Sequence, residues 1–166
     1  MSDQATTLTK SEFSGNIFEP GDPGYDDARA IWNAMIDRHP AIIAQCLNVD
    51  DVIAAVKLAG ARNLPMSIRG GGHNVAGHAV CDKGIMIDLS KMRGVSIDAE
   101  NRLAMVEGGA LWRDVDTASQ EHGLATPGGL ISDTGVAGLT LSGGIGWLRA
   151  KHGLSIDNLV AADVVT

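Results

Sequence analysis

The sequence predicts an α+β chain of two lobes. A small mixed α/β lobe spans residues 21–90, and a mostly antiparallel sheet lobe with helices spans residues 91–166. Three observations carry that prediction. A strand–helix–strand pattern runs from Ile42 to Ile68 and delivers a glycine loop at its end. After Gly84, short apolar runs alternate with Asp, Asn, Gly and Arg turns, as antiparallel strands do. Glycines are crowded: 18 of the 21 lie between Gly60 and Gly153, whereas average usage of about 7% would give roughly 12 in the whole chain. Such crowding predicts backbone-lined loops suited to a ligand laid along the main chain.

Residues 1–20 read as an N-terminal leader with one apolar cluster at Phe13, Ile17 and Phe18. Gly21-Asp22-Pro23-Gly24 separates it from a helix with Ala28, Ile31, Trp32, Met35 and Ile36 at helical spacing. His39-Pro40 ends that helix, because a residue before proline leaves the α region. Ile42–Leu47 reads as a buried strand. Asp50 reads as the N-cap of a helix with Val52, Ile53, Val56 and Ala59 on one face, and Pro65–Ile68 as the strand after it. Ile85–Leu89, Val95–Ile97 and Leu103–Val106 are expected as antiparallel strands, with a lobe boundary near Ser90. Trp112, Val115 and Ala118 open a helix that Gly123 ends. Leu159–Thr166 reads as a strand whose sheet neighbours are unaccounted for, so the second lobe is expected to be truncated.

Apolar residues make up 45% and charged residues 20%, the balance of an ordinary globular domain. The net charge of -7 argues against nucleic acid as a partner, since phosphate backbones need a basic surface. No apolar stretch reaches membrane-spanning length, so no membrane partner is expected and the cytoplasm is the default location. Cys46 and Cys81 sit in unrelated segments, which predicts reduced thiols rather than a disulfide. His73 and His78 share no helical face and have no third ligand, so no metal site is expected.

The chemistry concentrates in Arg69-Gly70-Gly71-Gly72-His73-Asn74, directly after the apolar run Pro65–Ile68. Consecutive glycines bring unobstructed N–H groups into one concavity, a nest for phosphate or pyrophosphate. Arg69 adds a positive charge at the loop entrance. His73 closes the loop with a nucleophilic imidazole, unusual in a plain phosphate cradle, and points to a bound nucleotide that a histidine touches. The G-x-G-x-x-G spacing of a dinucleotide-binding Rossmann unit, the Gly-Lys of a P-loop and the G-x-S-x-G elbow of a hydrolase are all absent.

Further motifs follow in order: Gly108-Gly109-Ala110-Leu111-Trp112-Arg113-Asp114-Val115, then Ala125-Thr126-Pro127-Gly128-Gly129, then the segment Asp133–Trp147, then Lys151-His152-Gly153-Leu154-Ser155-Ile156-Asp157-Asn158. The ordered set, from about Ile42 to Thr166, resembles the FAD-binding domain of berberine-bridge-enzyme-like oxidases, within the vanillyl-alcohol-oxidase or PCMH-type flavoprotein family. The resemblance implies a two-lobed PCMH-type FAD-binding fold and an oxidase that takes hydride from a C–H next to oxygen or nitrogen in a small-molecule substrate, with hydrogen peroxide as a product. It implies that Arg69, Gly70, Gly71, Gly72, His73, Asn74 and Gly77 hold the pyrophosphate side of FAD. Thr134, Gly135, Gly138, Leu139, Gly143, Gly144 and Gly146 would line the flavin.

In the resembled family the loop histidine is joined to the 8α-methyl carbon of the flavin, so His73 is the expected attachment residue. Ile131 stands where many members carry a second attachment cysteine, so a single covalent link is expected. No catalytic base is assignable, because the family's base and substrate domain come from sequence beyond Thr166. The chain alone is therefore expected to be inactive, and to form a homodimer or associate through its open C-terminal strand. A non-catalytic flavin- or nucleotide-binding module, or a degenerate fragment acting with a partner chain, stands as the alternative.

Overall fold

The computed structural model describes residues 13–166. The part of the expected leader before Phe13 lies outside the described residues. From Phe13 onward the chain is integrated: Phe13 is buried in the core, and β1 (Asn16–Phe18) pairs antiparallel with β2 (Ile42–Gln45).

The helix expected to reach Ile36 is α1 (Tyr25–Arg29), and it stops short because of long-range bonds. The Ala30 carbonyl accepts from the Arg69 guanidinium at 2.9 Å, and the Trp32 N–H donates to the Gly72 carbonyl at 3.2 Å. These bonds replace the local helical ladder. Ile31 and Ile36 still pack inward, but Trp32 and Met35 are exposed.

The next helix, α2 (Val49–Arg62), is capped by Asn48 rather than Asp50, the Asn48 side chain accepting from the Asp51 N–H at 2.9 Å. Asp51 is buried instead, accepting from the N–H groups of Ser14 (2.7 Å) and Leu47 (2.8 Å). β3 (Met66–Arg69) and β4 (Ile85–Asp88) complete a four-stranded sheet of order β1-β2-β4-β3. The antiparallel expectation for Ile85–Leu89 is overturned, since β4 runs parallel to both β2 and β3. The reason is burial: every residue of β2 and β4 is buried, as in parallel sheets covered on both faces. Along these strands Ile42, Ala44, Ile85 and Ile87 pack with Ala55, Leu58 and Ala59 of α2, while Ile43 and Met86 pack with Tyr25, Ala28 and Val80.

β5 (Val95–Asp98) and β6 (Leu103–Val106) form a separate antiparallel pair against which α3 (Trp112–Gln120) lies. Short helices α4 (Val136–Leu141) and α5 (Arg149–His152) and a 3-10 turn at Ile156–Asn158 follow. Leu159–Thr166 is not a strand, and Leu159, Val160 and Val164 are exposed. Among the described residues no strand lies beside it to satisfy its backbone, and an unpaired segment does not hold as sheet.

Candidate cofactor site

Three parallel strands end together and build the floor of the site. Gln45, Asp88 and Arg69 are in register, Gln45 opposite Asp88 and Asp88 opposite Arg69. Asp88 is 0% exposed. It accepts from Arg69 Nε at 2.9 Å and Nη2 at 2.6 Å, from Gln45 Nε2 at 2.9 Å, and from the Ser90 N–H at 2.9 Å and Oγ at 3.0 Å. Burial pushes the Asp88 carboxyl up, but the Arg69 hydrogen bonds and charge outweigh it, and the carboxyl stays below the usual range. Arg69 is thus a bidentate brace, not a free charge at the loop entrance. Its remaining Nη1 holds Ala30.

From this brace the glycine loop rises into a cavity of about 280 Å³, lined by Gly70, Gly71, Gly72, Trp32, Arg93 and Leu111 among others. Among the described residues the N–H groups of Gly70, Gly71, Gly72 and His73 donate to no protein acceptor. Gly72 adopts φ +73, in the left-handed region that turns successive N–H groups into a nest. Arg93 is itself paired to Asp114 at 2.6 and 2.9 Å. Burial works against the Asp114 charge, and Arg93 with the Leu111 N–H overcomes it, holding that carboxyl low. With both arginines charge-paired, the donors left for an anion among the described lining residues are the main-chain N–H groups of the loop and Arg93 Nη1, which has no protein acceptor. The volume lies just below the usual range of ligand clefts, about 300–1,000 Å³, and suits the pyrophosphate with part of a dinucleotide. The residues present fit FAD in this partial sense.

The second glycine segment meets the first at one point. Gly135 abuts Gly71, Leu111 pairs with Gly135, and the Val136 N–H donates to the Ala110 carbonyl at 3.0 Å. The other expected residues lie apart from the cavity lining. The Thr134 hydroxyl donates to the Ile131 carbonyl at 2.8 Å, and the Asn74 carboxamide accepts from the His78 N–H at 3.1 Å. Gly77 sits at φ +76 against Ile36, while Gly144 packs on Ser155 and Gly146 on the Gly128 backbone. Gly143 (φ +107) and Gly138 have nearly open surroundings, and Leu139 is half-buried. His73 is half-buried and stacks on Trp32, with ring centroids 5.3 Å apart and an interplanar angle of 26°. Among the described residues no metal-holding cluster of His, Cys, Asp or Glu occurs, and no helix is long and apolar enough to cross a membrane.

The family model described as FAD binding domain matches residues 40–166. The chain belongs to that family.

Relatives of this FAD-binding domain agree. An uncharacterized FAD-linked oxidoreductase of Bacillus subtilis (strain 168), YgaK, is 36% identical over 158 residues, 95% of this chain and 35% of that protein. (R)-6-hydroxynicotine oxidase of Paenarthrobacter nicotinovorans is 37% identical over 158 residues, 95% of this chain and 34% of that protein. The crystal structure of 6-hydroxy-D-nicotine oxidase from Arthrobacter nicotinovorans superposes with a TM-score of 0.85 at 36% identity, covering 87% of this chain and 32% of that one. A berberine-bridge-enzyme-like protein of Physcomitrella patens gives 0.83 at 25% identity, covering 89% of this chain and 32% of that one. The chain spans about a third of the length of these relatives. The mixed α/β fold of these PCMH-type neighbours is the fold described above.

Sequence reasoning missed Trp32, Asp88, Ser90, Arg93 and Leu111 at the site. Asp88 had a readable signal, a lone carboxylate closing the apolar run Ile85-Met86-Ile87. Trp32 had none, because its helical spacing marked it as core.

Proposed function

We propose that this chain is the FAD-holding part of an oxidoreductase whose flavin is attached covalently through His73 alone. One observation carries the reading. His73 follows the N–H nest directly and stacks on Trp32, which lines the cavity, and neither of its ring nitrogens takes part in a hydrogen bond among the described residues, so no protein group engages the nucleophile.

When bound, the flavin supplies acceptance of a hydride from a substrate C–H next to oxygen or nitrogen, with oxygen as final acceptor and hydrogen peroxide as product. The N–H groups of Gly70 through His73 hold the pyrophosphate. The Arg69–Asp88 brace fixes the base of that loop, and the Gly71–Gly135 contact fixes its crest. His73 would hold the group through a ring nitrogen, its imidazole supplying the nucleophile and giving up the N–H proton, with molecular oxygen as the two-electron acceptor that balances the new bond. Ile131 offers no thiol for a second link, and the Cys46 thiol is buried. The free thiols Cys46 and Cys81 accord with a cytoplasmic setting.

Intact-mass measurement of the full chain and of His73→Ala tests the reading. The parent is expected to carry an acid-stable adduct of one FAD, and His73→Ala none. An adduct surviving on His73→Ala overturns the assignment.

A further inference from the structure

We infer that Trp32 is a positioning residue for the attachment at His73, a platform that orients the imidazole without occupying either nitrogen. The proposal rests on the covalent reading above. Trp32 is 73% exposed, so burial does not account for the placement of its indole. Its segment is tied to the glycine loop at three points. Ala30 accepts from Arg69 at 2.9 Å, the Trp32 N–H donates to the Gly72 carbonyl at 3.2 Å, and Asn33 Nδ2 donates to the Val75 carbonyl at 3.4 Å. Those ties bracket His73 in sequence and hold the indole over its ring, 5.3 Å between centroids and 26° from parallel.

The same segment gave up helical structure after Arg29 to make these bonds. A hydrogen-bonding partner would also orient an imidazole, but it would engage one of the nitrogens that reacts or releases a proton. An aromatic face restricts the ring and leaves both nitrogens open. Trp32 also lines the cavity, so the platform stands where the cofactor must arrive.

The test compares Trp32→Ala, Trp32→Leu and Trp32→Phe with the parent in the full chain, alongside His73→Ala. The rate of acid-stable flavin incorporation is followed by intact mass at saturating FAD, which removes any effect on affinity. Orientation of a reacting group predicts that attachment slows about tenfold or more in Trp32→Ala and Trp32→Leu, and stays within about threefold in Trp32→Phe. Independently of FAD, the His73 ring protons should show an upfield ring-current shift by NMR that disappears in Trp32→Ala and persists in Trp32→Phe.

Attachment by Trp32→Ala within about threefold of the parent overturns the proposal, as does a Phe variant no faster than Ala. So does an NMR shift unchanged in Trp32→Ala. If instead the parent holds FAD only reversibly, or His73→Ala still forms the adduct, the covalent reading itself has failed and this proposal falls with it.

Discussion

Gly71 and Gly135 meet backbone to backbone, and that contact joins the two glycine segments of the chain. A β-carbon on Gly71 would lie 2.6 Å from Gly135 Cα and 3.3 Å from the Leu111 side chain. One on Gly135 would lie 2.6 Å from Gly71 N and 2.9 Å from its Cα. At both sites the nearest atoms are backbone, which cannot swing aside as a side chain can, so these glycines are required by the approach of two protein segments as well as by any ligand.

Gly135→Ala is therefore expected to destabilise the fold by about 1–3 kcal/mol, the range for forcing extra volume into a packed contact. Gly138→Ala is the matched control. Its β-carbon meets nothing within 4 Å and it lies inside α4, so the change should be neutral or stabilising by up to about 1 kcal/mol. Urea midpoints decide the matter; equal midpoints for the two variants would show that the Gly71–Gly135 contact is unimportant.

The glycine loop, its preceding strand and α2 were legible because they rest on local signals: an apolar run, helical periodicity and consecutive glycines. What was not legible depends on partners remote in sequence. Tyr25 to Ile36 carries a helical pattern, yet Arg69 and Gly72 draw Ala30 and Trp32 away from it. Ile85–Leu89 has the length and composition of any short strand, and only its burial between β2 and β3 makes it parallel. Arg69 read as a ligand-facing cation because its acceptor, Asp88, lies on another strand. The FAD family was readable from the order of motifs, whereas the Trp32–His73 stack depends on a turn that no periodicity encodes.

The two thiols should differ sharply in reactivity. Cys46 is 0% exposed, and burial, with the nearby Asp51 and Asp88 charges, pushes its thiol pKa up to about 12. Cys81 is only half-buried. Iodoacetamide at mildly alkaline pH should label Cys81 at least about tenfold faster than Cys46, because the thiolate is the reacting form. Peptide mapping reads the two sites separately, and comparable labelling of native protein would contradict the burial of Cys46.

An apolar surface surrounds α4 and α5, where Leu141, Ile145 and Trp147 are exposed, Trp147 at 81%. Patches of this kind favour association. The 166-residue chain is expected to bind a hydrophobic dye and to sediment above its monomer mass of 17.3 kDa, with Trp147→Glu lowering both signals. Sedimentation velocity across a concentration series checks this. A strictly monomeric parent with no dye binding would show that the surface does not drive association.

The Asp88 carboxylate should control both stability and its dependence on pH. Asp88→Asn removes the charge that satisfies Arg69, whose side chain is only 12% exposed, and leaves a guanidinium without its counter-charge. Breaking a buried pair in this way costs about 3–5 kcal/mol. The folded pKa of Asp88 lies below the unfolded value of about 3.9, so its contribution is complete above that pH and is lost as pH falls through the folded value. The gap in unfolding free energy between parent and Asp88→Asn should hold steady from about pH 7 to 5 and shrink as pH falls below about 4 towards 3. Other carboxylates titrate in the same window, but they are common to both proteins and cancel in the difference. Urea unfolding at each pH supplies the numbers. A gap that stays constant down to pH values near 3, or one that widens, would mean that Asp88 is not held ionised by Arg69 and that the loop is braced by some other contact.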